Sequence, residues 1–121
     1  MDTRLDSLDI GFRIRAFELL ARCAEARIPV VVVNTRRTAA EQADLLRDGH
    51  TWVTHSAHQD GRAIDICPLE IFDLSPIGTM KLEWNADHPV WERLGRIGES
   101  LGLVWGGRWS KRDCTHFEQG S

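Results

Sequence analysis

Ile10, Ile14, Phe17, Ala21, Ala24 and Ile28 recur at alternating steps of four and three. That spacing lines up one side of an α-helix, so the segment predicts an amphipathic helix with this stripe toward the core. Glu18 and Arg22, acid first and four apart, would add a well-oriented ion pair. Pro29 is expected to end the helix, and the β-branched run at residues 30–33 predicts a buried strand. Thr38 and Glu41 have the spacing of a capping box, opening a short helix that ends near Gly49. Residues 56–65 turn at Asp60-Gly61, and residues 63–67 predict a strand. Residues 68–87 carry no clear period and suggest a long loop or hairpin. Pro89 suits the first position of a last helix, which presents Val90, Leu94, Ile97 and Leu101 and stops at Gly102. Residues 103–105 predict a strand, Gly106-Gly107 a turn, and residues 115–118 a final strand. Helices come first and the strands do not alternate cleanly with them. The expected fold class is therefore α+β, with a small antiparallel sheet.

Composition narrows this picture. The 121 residues show no repeat, low-complexity tract or linker, which predicts one domain over 1–121. A hydrophobic fraction of 42% and a charged fraction of 27% are those of an ordinary globular protein, so a metal need not hold the fold together. Net charge is −3 without a Lys/Arg run, which argues against nucleic acid and against electrostatic membrane anchoring. Three cysteines at wide spacing argue against a disulfide framework and for a reducing compartment. The N-terminus lacks the basic start and apolar run of a signal peptide, and no apolar stretch is long enough to span a bilayer. The expectation is synthesis in the cytoplasm, with delivery to any outside substrate by other means.

A zinc peptidase needs three nitrogen or carboxylate ligands, one open position and a base for the attacking water. The HExxH helix is absent. The chain offers instead Ser56-Ala57-His58-Gln59-Asp60-Gly61-Arg62-Ala63-Ile64-Asp65 and, far downstream, Asp113-Cys114-Thr115-His116-Phe117-Glu118. His58 precedes the turn and Asp65 leaves it on a strand, so a chain reversal aims both side chains at one point. His116 arrives from the final strand.

These segments resemble the VanY-like family of zinc D-Ala-D-Ala carboxypeptidases and phage L-alanyl-D-glutamate endopeptidases. Its Ser-x-His-x-x-Gly-x-Ala-x-Asp pattern and its downstream acid-x-x-His segment are both filled here. Arg37-Thr38-Ala39-Ala40-Glu41-Gln42 is similar to the family's Arg-Ser/Thr-x-x-x-Gln segment. Residues 102–109, Gly-Leu-Val-Trp-Gly-Gly-Arg-Trp, are similar to its Gly-Leu-x-Trp-Gly-Gly-x-Trp. The resemblance implies the zinc fold shared with the Hedgehog domains, and one Zn²⁺ per chain on His58, Asp65 and His116. It gives Asp113 the role of general base. Arg37 would stabilise an oxyanion or hold a substrate carboxylate.

Other positions stay open at this level. Ser56 orients His58 or contacts substrate, or simply forms the turn. Glu118 supports His116 from behind or is a surface acid. The tryptophans are mostly core, with Trp105 or Trp109 lining the substrate groove. His50, His55, Asp60 and His88 read as turn or cap residues, and Cys114 as an apolar filler. Arg108 departs from the acidic or polar residue common in the family. The favoured function is an endolysin-type L-alanyl-D-glutamate endopeptidase, a monomer acting on peptidoglycan stem peptides after phage-type release. The alternatives are a D-Ala-D-Ala carboxypeptidase and a zinc-stabilised binding module without turnover.

Overall fold

The computed structural model describes residues 2–51, 55–70 and 81–120. Helix α1, Ile10–Glu25, opens where the Asp9 carboxylate accepts the Phe12 N–H. Its buried face carries Phe12, Ala16, Leu19 and Cys23, not the expected stripe. Ile10, Ile14 and Phe17 are 73%, 59% and 51% exposed, and of the six expected residues only Ile28, beyond the helix, is buried. The helix carries two apolar stripes of similar period, and packing buries the one through Phe12, Ala16, Leu19 and Cys23. Ala16 and Cys23 let the helix lie close to its neighbours, while Arg13 Nη2 donates to the carbonyls of Asp6 and Leu8 and pins the rotation. Glu18 pairs with Arg15, not Arg22. The helix also stops before Pro29. Arg27 adopts a left-handed φ of 59°, and the N–H of buried Ile28 reaches back 2.9 Å to the Cys23 carbonyl.

The sheet comprises β1 (Val30–Asn34), β2 (Ala63–Glu70), β3 (Lys81–Leu82), β4 (Leu103–Trp105) and β5 (His116–Gln119). Its order is β1-β2-β5-β4, with β3 on the far end of β2, and every pairing is antiparallel. Among the described residues β1 pairs only with β2, and Val31 is 40% exposed, so this valine run is an edge strand that is only partly buried. β2 runs three residues beyond the expected Cys67, because Leu69 and Glu70 pair with β3. Of the segment expected to be a loop or hairpin, residues 71–80 lie outside the described residues.

Helix α2, Ala39–Arg47, has the predicted capping box: Thr38 accepts from the Glu41 N–H and Glu41 accepts from the Thr38 N–H. Helix α3, Val90–Ser100, buries Trp91, Leu94, Gly95 and Gly98. A Cβ at Gly95 would strike the Trp105 ring and one at Gly98 the Phe117 ring, so these glycines set how closely α3 approaches β4 and β5. Trp91 and Trp105 are core, whereas Trp84 is 59% exposed; Trp52 lies outside the described residues.

Ile64, Ile66, Leu103, Trp105 and Phe117 join the residues of α1 and α3 in one core. Strand side chains alternate between faces, so Asp65, His116 and Glu118 project from the opposite side. The fold is a small α+β domain whose antiparallel sheet keeps its core on one face and its polar cluster on the other. Among the described residues no helix is long and apolar enough to cross a membrane.

Candidate metal centre

Asp65 and His116 are directly paired residues of β2 and β5, so strand register alone puts them side by side. His58 reaches the same point from the turn before β2. Gly61 completes that turn at a φ of 69°, where a side chain would be strained and where a Cβ would lie 2.7 Å from the Asp9 nitrogen. One donor atom from each of His58, Asp65 and His116 falls within 4.8 Å of the others. The two imidazole rings meet edge-on with centroids 5.0 Å apart.

The histidines present their nitrogens differently. His58 Nδ1 lies 2.7 Å from the Thr35 carbonyl, which only accepts, so Nδ1 carries the proton. Its Nε2 is buried, 3.2 Å from Asp65 Oδ2, yet without a hydrogen-bond partner among the described residues. His116 lies with Nδ1 3.2 Å from Asp65 Oδ1 and Nε2 2.8 Å from Glu118 Oε1. Burial works against protonation of His116, but hydrogen bonds to Asp65 and Glu118 and the charges of Asp65 and Asp113 prevail, raising its pKa to about 9. For Asp65, burial acts to raise the pKa; the hydrogen bond from His116 and the charge on that ring outweigh it and hold the carboxyl below the usual carboxylate range.

Two nitrogens and one carboxylate around a buried, unpartnered Nε2 make a donor set that fits Zn²⁺. His58 would offer Nε2, Asp65 a carboxylate oxygen and His116 its Nδ1, with Glu118 holding the far side of the His116 ring.

The cluster lies in a cleft of about 860 Å³ that Arg37, Ser56, Trp109, Asp113 and Glu118 also line. The Asp113 carboxylate is half-exposed, 4.0 Å from His116 Nδ1. Burial and then the nearby charge of Asp65 raise its pKa. Gly106 makes room for this loop, since a Cβ there would sit 2.5 Å from the Asp113 carbonyl. Arg37 donates from Nη1 to Gln42 Oε1 at 2.6 Å, and its own N–H donates to the His58 carbonyl. Its buried Nε has no partner among the described residues. Ser56 Oγ accepts the His58 N–H at 3.2 Å, so its hydroxyl shapes the turn that carries His58. The Trp109 ring tilts against His116 at 5.1 Å, whereas Trp105 belongs to the core.

The other histidines and Cys114 lie outside the three-residue cluster. His55 pairs with Asp60, and His88 Nδ1 accepts the Val90 N–H at the start of α3. His50 also lines the cleft. Cys114 packs against the core, and its carbonyl accepts from Trp105 Nε1. Arg108 is tied to Glu92 and Glu99 over the Trp105 face, fixing the Gly-Gly turn to α3. Three polar residues at the site were given no role from the sequence. Asn34 is buried and donates to Asp65 Oδ2, Thr35 aims His58, and buried Gln42 holds Arg37. The signal for Gln42 was its place in the Arg-Ser/Thr-x-x-x-Gln segment, and for Asn34 and Thr35 a polar pair ending the apolar run before Arg36.

A family model described as D-alanyl-D-alanine carboxypeptidase matches residues 49–119, a span holding all three candidate ligands. The fold is similar to a crystal structure of the Serratia marcescens L-Ala D-Glu endopeptidase ChiX, with a TM-score of 0.69 at 21% identity. That alignment covers 95% of this chain and 82% of the other. No curated protein matches. The chain belongs to the D-alanyl-D-alanine carboxypeptidase family, and is a metallopeptidase of the VanY-like kind that its sequence motifs resemble.

Proposed function

We propose that this protein is a zinc peptidase that cuts the L-alanyl-D-glutamate bond of peptidoglycan stem peptides. The observation that carries the zinc assignment is the convergence of His58, Asp65 and His116 beneath a cleft that also holds Arg37 and Asp113. Bound zinc would supply Lewis acidity, polarising the scissile carbonyl and making water acidic enough to ionise near neutrality. Asp113 accepts the proton of the attacking water, a task suited to a half-exposed carboxylate whose basicity is raised by burial and by Asp65. Asp113 then returns the proton to the leaving amine. Arg37, held from behind by Gln42, faces either the developing oxyanion or a carboxylate of the stem peptide. Trp109 offers an apolar wall beside His116.

The similar S. marcescens protein is named for L-Ala D-Glu endopeptidase activity, which supports that choice of bond. The family description favours a second reading, release of the terminal D-alanine. Retention of Arg37 and Asp113 in the cleft argues against a module without turnover.

Digestion of purified peptidoglycan decides between the readings. The endopeptidase should lower turbidity and expose new N-terminal D-glutamate, detected by mass spectrometry. Free D-alanine without those new amino ends would establish the carboxypeptidase instead. No product of either kind from protein carrying one zinc per chain would favour the binding module.

A further inference from the structure

His58 owes its orientation to a backbone oxygen outside any helix or strand. Because the Thr35 carbonyl can only accept, it keeps the proton on Nδ1 and leaves the Nε2 lone pair toward Asp65 and His116. Thr35 follows β1 directly and is completely buried. The N-terminal segment, residues 2–9, holds it in place. The Thr35 N–H donates to the Asp2 carbonyl at 2.8 Å, and its hydroxyl lies 2.9 Å from Ser7 Oγ. Ser7 Oγ also lies 2.7 Å from the Arg4 carbonyl. Proton counting fixes the direction of this chain. Ser7 has one hydroxyl proton, which the Arg4 carbonyl must take, so the Thr35 hydroxyl donates to Ser7.

The same segment grips both sides of the site. Arg36 Nη1 donates to the Ser7 carbonyl at 3.2 Å, next to Thr35. The Asp9 N–H donates to the Gly61 carbonyl at 2.9 Å, at the far end of the turn that carries His58.

We propose that residues 2–9 form a strap that positions the metal centre, with the Thr35–Ser7 hydroxyl pair setting the aim and tautomer of His58. The proposal rests on the zinc reading but concerns different residues, none of which touches metal or substrate. Ser7 and Thr35 are positioning residues that act through His58.

Thr35→Val and Ser7→Ala each remove one hydroxyl; Thr35→Ser and Ser7→Thr keep it. Two measurements are made on every variant. Zinc affinity is measured by competition with a chromogenic chelator, and the His58 tautomer is read from imidazole ¹⁵N shifts of the zinc-free protein at a pH where the ring is neutral. Each hydroxyl deletion should weaken zinc binding about 10-fold or more and mix the tautomers, in line with losses of groups that orient metal ligands. The double variant should be no worse than either single one, because the two hydroxyls act as one link. The hydroxyl-retaining variants should stay within about twofold of the parent, the usual scatter of uncoupled changes. Should Thr35→Val fail to fold by circular dichroism, the partly exposed Ser7→Ala decides. Parental zinc affinity with an unchanged Nδ1–H tautomer in Ser7→Ala overturns the strap. A parent that takes up no zinc, alongside a tautomer that shifts in Ser7→Ala, upholds the strap and refutes the zinc reading.

Discussion

Asp65 and Asp113 face the same cleft, yet their surroundings push their pKa values in opposite directions, and this predicts opposite behaviour on conversion to asparagine. Asp65 is mostly buried, with histidine nitrogens 3.2 Å away on both sides. Its lowered pKa means that its charge stabilises the fold at neutral pH, a contribution lost as pH falls below the normal carboxylate range. Asp65→Asn leaves that pairing unmade and should cost about 3 kcal/mol, the usual cost of removing one partner of a buried pair. Zinc should be lost with it, since an amide is a poor ligand. Asp113 differs on every count. Its side chain is 46% exposed, and its one hydrogen bond among those resolved is a long 3.4 Å contact from Thr115. Its raised pKa means that its charge opposes folding at neutral pH. Asp113→Asn should therefore change stability by less than about 0.5 kcal/mol, the range for surface substitutions, and keep the metal. Its turnover should nevertheless fall about 10²- to 10⁴-fold, equivalent to about 3–5 kcal/mol in the barrier. Thermal melts, zinc content by mass spectrometry and peptidoglycan cleavage on both variants together test this. Near-parental turnover in Asp113→Asn would refute its role as base and turn attention to Glu118, whose carboxylate is already 2.8 Å from His116.

Two further outcomes follow from how the fold is built. Phe12→Ala should cost about 3–5 kcal/mol and lower Tm by roughly 12–20 °C, because Phe12 is fully buried. Phe17→Ala, on the exposed stripe, should cost about 1 kcal/mol or less; equal losses in thermal melts would mean that the expected stripe does face a core. Chelation should leave the far-ultraviolet circular dichroism native-like while lowering Tm, since the hydrophobic cluster and the donors lie on opposite sheet faces. A coil-like spectrum after chelation would contradict that separation.

Elements that carry their own end signals were legible in the sequence. The capping box at Thr38 and Glu41 is present as read, and Gly49 and Gly102 adopt the positive φ that closes their helices. The α1 face was not legible, because two stripes satisfy the same period. Steps of four and three connect Ile10, Ile14 and Phe17, but they also connect Phe12, Ala16, Leu19 and Cys23. The choice depends on what the helix meets, and small residues at Ala16 and Cys23 are an advantage only once α3 and the sheet are in place. The extent of β2 failed for a related reason. Residues 68–87 show no clear period of their own, but the Pro68 carbonyl accepts the Glu83 N–H and the strand continues into the β3 pairing.

The same contrast runs through the site. That His58, Asp65 and His116 would meet was readable because the motif calls for particular side chains, and a turn or a strand pairing fixes their spacing. Glu118 followed from strand alternation, two residues beyond His116 on the same face. Thr35 left no such trace, because it serves His58 with a carbonyl that every residue possesses. Ser7 is still less visible: it lies 51 residues before its beneficiary and reaches it only through Thr35. Side chains that do chemistry constrain residue type and spacing, and so can be read from a single chain. Backbone groups that aim those side chains constrain only position, which emerges when the whole fold is assembled.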